Sequence, residues 1–219
     1  PHIGKIVYQA AAVHLTPVTL ELGGKSPAIV TPSANIEVAA RRIVWGKFLN
    51  AGQTCIAPDY LYVHQQVREA LLTAIKRNIE KFQYLPGSEN YTRIINSRHF
   101  KRLIGFIDQA KVFTGGRYDE DKLFIEPTIM QHVTWEDKVM QDEVFGPILP
   151  VLDYNDFNEV VDIIQGHEKP LSAYIFTNNN TEKEAFVSKI SFGGGCINDT
   201  VMHISNPNLP FGGIGNSGI

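Results

Sequence analysis

The sequence predicts an α/β fold, a largely parallel sheet flanked by helices. Three observations carry that expectation. Short apolar runs rich in Val, Ile, Tyr and Phe alternate with longer segments in helical register. The 219 residues are 43% hydrophobic, enough for one substantial core. No internal repeat or low-complexity segment interrupts the alternation.

Taken in order, residues 4–14, GKIVYQAAAVH, have the alanine-rich composition of a helix that Pro17 limits. VTLELGG, residues 18–24, predicts a short strand ending in two glycines, and PAIVT a buried strand. Ser33, Asn35 and Glu37 offer caps and a first-turn acid for the next helix. Ile36, Ala40, Ile43, Val44 and Phe48 share one face of it. DYLYVHQQ predicts a strand, residues 66–83 a helix with Val67, Leu71, Ile75 and Ile79 in register, and residues 97–109 another helix. Strands are expected at 110–114 and 123–130. GPILPVLDY is strand-like, 155–165 helical, LSAYIFT a strand, 181–190 helical and GGCIND a strand.

The 20 Lys and Arg nearly balance the 23 Asp and Glu, and like charges do not cluster in runs. Neither a nucleic-acid footprint nor a membrane-surface patch is implied, so the expected partner is a small molecule or another protein. No apolar run reaches the roughly 18–20 residues that span a bilayer, and the first residues lack a signal-peptide pattern. The seven histidines, at 2, 14, 64, 99, 132, 167 and 203, show no metal-ligand spacing, so no metal is expected. Cys55 and Cys196 form no CxxC and no disulfide framework, which suits a reducing compartment and predicts a cytoplasmic location. A chain that begins at Pro1 and stops within GIGNSGI reads as part of a longer polypeptide.

Chemistry concentrates in a few places. Cys55, in NAGQTCIAPDY, follows the exit of an amphipathic helix, where a loop supplies backbone N–H groups and solvent access to a thiol. It reads as a nucleophile or as a small buried hydrophobe. Cys196 lies on an expected strand between GGG and IND with nothing nucleophile-like around it, and is expected in the core. Glu21 ends an apolar run and is followed by Gly23 and Gly24, a setting for a carboxylate with a raised pKa acting as base, or for an exposed strand end. Glu143, beside Phe145 and Gly146, has the chemistry to hold a polar ligand edge while the ring packs on a flat one. The literal G-x-G-x-x-G at Gly213, Gly215 and Gly218 lacks the strand before and helix after that a dinucleotide fingerprint needs, and reads as a flexible loop near a site.

LELGGKSP at 20–27, GQTC at 52–55, DEVFGPILPV at 142–151 and PFGGIGNSG at 210–218 come in the order and approximate spacing of the aldehyde dehydrogenase superfamily. The chain resembles the catalytic half of that family. TPVTLELGGKSP and GQTCIAPDY resemble the class 3 group, which includes fatty and aromatic aldehyde dehydrogenases. Asp59-Tyr60 stands where many other members carry a serine-arginine pair.

The resemblance implies that residues 1–22 close a cofactor-binding domain and that residues 23–219 form the thiol-bearing catalytic domain. It implies NAD or NADP as cofactor and a hydrophobic aldehyde oxidised to its acid. Cys55 would attack the carbonyl and hold the oxyanion partly with its own N–H. Glu21 would activate the water that hydrolyses the thioester. Glu143 would bind the nicotinamide ribose with Phe145 beside it, and Gly23 would let the nicotinamide pass close to backbone. The phosphate-binding helix start and an oxyanion asparagine would lie upstream of Pro1, and the full-length enzyme would be a homodimer. Two alternatives remain open: a coenzyme-A-acylating relative, which Glu21 argues against, and a non-catalytic unit used for association.

Overall fold

The computed structural model describes residues 2–219; Pro1, where the cofactor-domain remnant is expected to begin, lies outside them. In chain order the elements are α1 (His2–Ala12), β1 (Pro27–Val30), α2 (Ile36–Phe48), β2 (Tyr60–His64), α3 (Arg68–Phe82), α4 (Ser97–Ile104), β3 (Val112–Thr114), β4 (Tyr118–Asp119), β5 (Phe124–Ile125), β6 (Thr128–Met130), β7 (Ile148–Tyr154), α5 (Phe157–Gly166), β8 (Ser172–Phe176), α6 (Asn180–Lys189) and β9 (Gly194–Ile197).

Seven of these strands form one sheet in the order β3-β6-β7-β2-β1-β8-β9. Every neighbouring pair from β6 to β9 is parallel, and only β3 runs antiparallel, at the edge. The expected α/β class with a largely parallel sheet is therefore what the chain adopts. Strands β1 and β8 are buried along their whole length, as unbroken apolar runs must be when helices cover both faces of a sheet. Ile43, Val44 and Phe48 of α2 meet Leu71, Leu72 and Ile75 of α3 in the same core as Ile29 of β1. Each such side chain contributes about 1.5–3 kcal/mol by leaving water.

Local chemistry fixes the helix starts. The Asn35 side chain accepts the Val38 N–H at 3.2 Å, and Asn96 accepts that of His99 at 2.9 Å. Glu37 sits in the first turn of α2 as expected.

Several expectations need correction. VTLELGG is not a strand of the sheet; its only ladder is an isolated antiparallel bridge between Glu21 and Gly218. Leu20 and Ile219 exchange N–H···O bonds of 3.0 Å, and the Leu22 N–H reaches the Ser217 carbonyl at 2.9 Å. The glycine-rich stretch is thus tied to residues 20–22 rather than free, because its backbone groups are satisfied there. The helix expected at 97–109 stops at Ile104, after which Phe106 and Ile107 donate to Leu103 and Ile104 in separate turns. The run 123–130 splits into β5 and β6 around Pro127, which has no N–H to continue a ladder.

Candidate active site

Three of the predicted residues enter the sheet in parallel. Glu21 lies just before β1, Cys55 just before β2 and Glu143 just before β7. These strands are neighbours in the order β7-β2-β1 and point the same way. Their preceding loops must then converge on one edge of the sheet, its amino edge. Ligand sites of open α/β sheets usually sit at the opposite, carboxyl edge, so this arrangement comes from the loops themselves.

The Cys55 loop is built from unusual backbone. Asn50 and Ala51 hold positive φ of 53° and 52°, and Gly52 follows at 72°. A side chain at Gly52 would strike the Gly146 carbonyl, so the thiol loop runs directly against the loop that carries Glu143 and Phe145. The Gln53 side chain pins the outside of the turn, donating to the Asn50 and Arg93 carbonyls at 3.2 Å and accepting the Ile95 N–H at 2.9 Å. Inside, half-buried Cys55 packs with Trp45, Ile56, Leu171 and Val201 in a small apolar cluster apart from the main core. The Tyr174 hydroxyl fixes this cluster by donating to the Ile56 carbonyl at 2.6 Å.

Burial pushes the Cys55 thiol up, and the Glu143 carboxylate and, more weakly, that of Glu21 push it further. The N–H groups of Cys55 and Ile56 work in the other direction by facing the sulfur. The structure therefore brings both predicted carboxylates within electrostatic reach of the thiol. Glu21 is exposed, so the apolar enclosure expected around it is not present among the described residues.

Glu143 is the enclosed carboxyl. Burial first, and the Asp59 charge second, push it up to about 7, against the Gly24 N–H and Lys25, which lower it. Its carboxyl group rests on Gly23, where any Cβ would collide with it. Glu143 and Gly23 also form part of the wall of an open cavity of about 350 Å3, lined further by Lys25, Trp135 and Lys169. Cys55 and Glu21 do not line it.

Phe145 sits half-buried at φ 47°, a left-handed conformation that costs a non-glycine residue about 1 kcal/mol or more. Side chains of α4 hold it there. His99 Nε2–H donates to the Phe145 carbonyl at 2.7 Å, and Arg102 donates to the carbonyls of Glu143 at 3.0 Å and Val144 at 2.5 Å. From the other side the Val144 N–H donates to Asp59 at 2.8 Å. Asp59, buried, also takes Lys25 Nζ at 2.5 Å, and Lys25 in turn donates to the Asp142 carbonyl at 2.9 Å. One ion pair thus ties together the segment after Glu21, the segment after Cys55 and the Glu143 loop.

Lys47, in the last turn of α2, is fully buried beside this group, and burial lowers it to about 8, with Asp59 and Glu143 opposing. Sequence reasoning missed Lys47, His99 and Arg102 as parts of the site. A lysine next to the apolar face that ends in Phe48 was the available signal for the first.

Cys196 does not have the inert surroundings expected of it. It is half-buried rather than enclosed in the core, and its Sγ lies 3.6 Å from His203 Nδ1. The turn after β9 brings that histidine back onto the strand. Among the described residues no group of three His, Cys, Asp or Glu is arranged to hold a metal ion, and no helix is long and apolar enough to cross a membrane.

The profile of the Aldehyde dehydrogenase family matches residues 1–219. The 4,4'-diaponeurosporen-aldehyde dehydrogenase of Staphylococcus aureus is 50% identical over all of this chain, which covers 48% of that protein. The dimeric NADP-preferring aldehyde dehydrogenase of Mus musculus is 46% identical over 99% of the chain and 48% of its own length. Among solved structures, Staphylococcus aureus AldH in a substrate-bound state superposes with a TM-score of 0.97 at 49% identity, over 100% of this chain and 48% of that one. An NAD-dependent aldehyde dehydrogenase from Sinorhizobium meliloti gives 0.91 at 28% identity, over 100% of this chain and 45% of that one. The chain spans about half the length of the relatives it matches. It belongs to the aldehyde dehydrogenase family.

Proposed function

We propose that this member of the aldehyde dehydrogenase family supplies the thiol-bearing half of an enzyme that oxidises a hydrophobic aldehyde to its carboxylic acid with NAD or NADP. The observation that carries the reading is the convergence of Cys55, Glu21 and Glu143 on one sheet edge, with both carboxylates acting on the thiol. The apolar group around Cys55, with Trp45, Leu171 and Val201, supports a hydrophobic substrate.

Cys55 Sγ attacks the carbonyl carbon, and the N–H groups facing the sulfur would hold the oxygen that gains charge. The thiol proton needs an acceptor because burial disfavours the thiolate. The dinucleotide, when bound, supplies the hydride acceptor. The residues fit such a group: Glu143, resting on Gly23 in the cavity wall, has a carboxylate that would take ribose hydroxyls, and the half-buried Phe145 ring would lie against the flat edge. Glu21, exposed and within electrostatic reach of the sulfur, then takes a proton from the water that cleaves the thioester.

Residues 1–22 are read as the closing part of a cofactor-binding domain and 23–219 as the catalytic domain. The exposure of Ile3, Ile6, Val7 and Tyr8 on α1 supports a covering partner for that helix. The names of the relatives support NAD or NADP as cofactor and a dimeric assembly. The two free cysteines support a reducing, cytoplasmic location.

The test is aldehyde-dependent reduction of NAD and NADP by the full-length protein, with a medium-chain saturated aldehyde, before and after Cys55→Ser. Turnover should vanish in the variant. Undiminished turnover would remove Cys55 from the reaction.

A further inference from the structure

A second thiol has a base in place. Cys196 on β9 lies 3.6 Å from His203 Nδ1, and His203 Nε2 lies 3.2 Å from the hydroxyl of Ser172, which is buried on β8. A neutral ring that donates Nε2–H to Ser172 leaves Nδ1 free to accept from the thiol. That is the tautomer a proton acceptor for sulfur requires. Burial lowers the pKa of His203 and raises that of Cys196, so the pair rests as thiol and neutral imidazole near neutral pH.

The rim is apolar. Met202, Ile204 and Phe211 are 38%, 52% and 40% exposed, and the Phe211 ring stacks over His203 at 6.4 Å. Among the described residues no third ligand joins Cys196 and His203, which leaves covalent chemistry at sulfur rather than metal binding.

We propose that Cys196, with His203 as its base, is a modification site for apolar α,β-unsaturated aldehydes. Sulfur bonds to the β-carbon as the thiol proton passes to His203 Nδ1. The C=C π pair moves onto the α-carbon and carbonyl, and the imidazolium then returns its proton to the α-carbon. One S–C and one C–H bond replace one S–H bond and one C=C π bond, with no net redox change. Three rim side chains offer the alkyl chain an apolar seat, and the soft β-carbon suits sulfur.

The inference stands apart from the role given to Cys55, and the test is made in the full-length protein carrying Cys55→Ser. That protein is treated with trans-2-octenal, with octanal as saturated control, then reduced with borohydride and mapped by mass spectrometry. Cys196 should carry the octenal adduct and none from octanal, and adding His203→Gln should slow the labelling about tenfold or more. Labelling at an unchanged rate in His203→Gln, or no adduct at Cys196 in native protein while urea-unfolded protein reacts, would overturn the proposal. If His203→Gln loses its native circular dichroism, the ratio of native to urea-unfolded labelling decides. Cys196 should react faster in the native state, and an equal or slower native rate refutes the assistance by His203.

Discussion

Glu143→Gln should make the protein more stable at pH 8 and leave it unchanged near pH 4.5. In the folded chain the Glu143 carboxyl is raised from 4.5 to about 7, chiefly by burial. A carboxyl with a raised folded pKa binds its proton more tightly in the native state than in the unfolded one. Its favourable contribution is complete below 4.5, is lost as pH rises through about 7, and above that the buried carboxylate carries its full cost. About 2.5 units at 1.36 kcal/mol each gives about 3 kcal/mol as the ceiling. Glu143 is only partly buried, so water relaxes some of it and an effect of about 1–3 kcal/mol is expected.

Glutamine has nearly the same shape and its amide oxygen can still accept the Gly24 N–H, so the substitution isolates the charge. Urea unfolding followed by fluorescence at both pH values measures it, with the difference between variant and parent compared at equal slope. Equal stabilisation at the two pH values would mean that charge is not the cause. Destabilisation at pH 8 would mean that the carboxylate is satisfied by its neighbours, and the burial argument would be wrong. The same variant removes the larger of the two negative influences on Cys55, so thiol alkylation at pH 7.5 should also become faster.

Glu21→Gln in the full-length protein should permit a first burst of reduced dinucleotide and then slow turnover, since an amide cannot take a proton from water; unchanged steady-state turnover in stopped-flow and steady-state assays removes Glu21 as the base. Asp59→Asn leaves Lys25 without its buried counter-ion and should cost about 3 kcal/mol, with amide exchange rising first in residues 139–146, where both partners of the pair are tied. Gly52→Ala forces a Cβ at φ 72° into the Gly146 carbonyl and should cost about 2 kcal/mol or more, with Cys55 alkylation altered; an unfolding midpoint equal to that of the parent would refute the close packing of the two loops.

Much of the fold was legible because the chain is locally consistent. PAIVT, DYLYVHQQ and LSAYIFT became β1, β2 and β8, and Asn35 and Glu37 marked the start of α2 where capping chemistry places it. VTLELGG misled because alternation with glycines resembles a strand, whereas its hydrogen-bond partner is a loop nearly 200 residues later that periodicity does not reveal. The candidate site could be read from local context, with Cys55 at the exit of an amphipathic helix, Glu21 before Gly23 and Gly24, and Glu143 beside Phe145 and Gly146. The Lys25–Asp59 pair and the α4 clamp were not, since a charged residue reads as solvated until the fold buries it. Cys196 was misread for the same reason in reverse. A strand thiol looks inert until a turn of seven residues returns His203 to it.

The amino-edge location has a consequence for how the site forms. Glu21, Cys55 and Glu143 belong to three separate crossovers, and only the pairing of β7 with β2 and of β2 with β1 sets their loops side by side. The pairing is non-local, so no single hairpin or helix assembles even two of the three. Asp59 and Lys25 sit where those strands begin, and their ion pair forms only once the register of Pro27 against Tyr60 is set. Substitutions in the centre of the sheet, at Ile29 or Leu61, should therefore disturb thiol, base and Glu143 together. Substitutions at Ile3, Ile6 or Tyr8 of α1 should leave their mutual geometry intact, because those side chains are open to solvent.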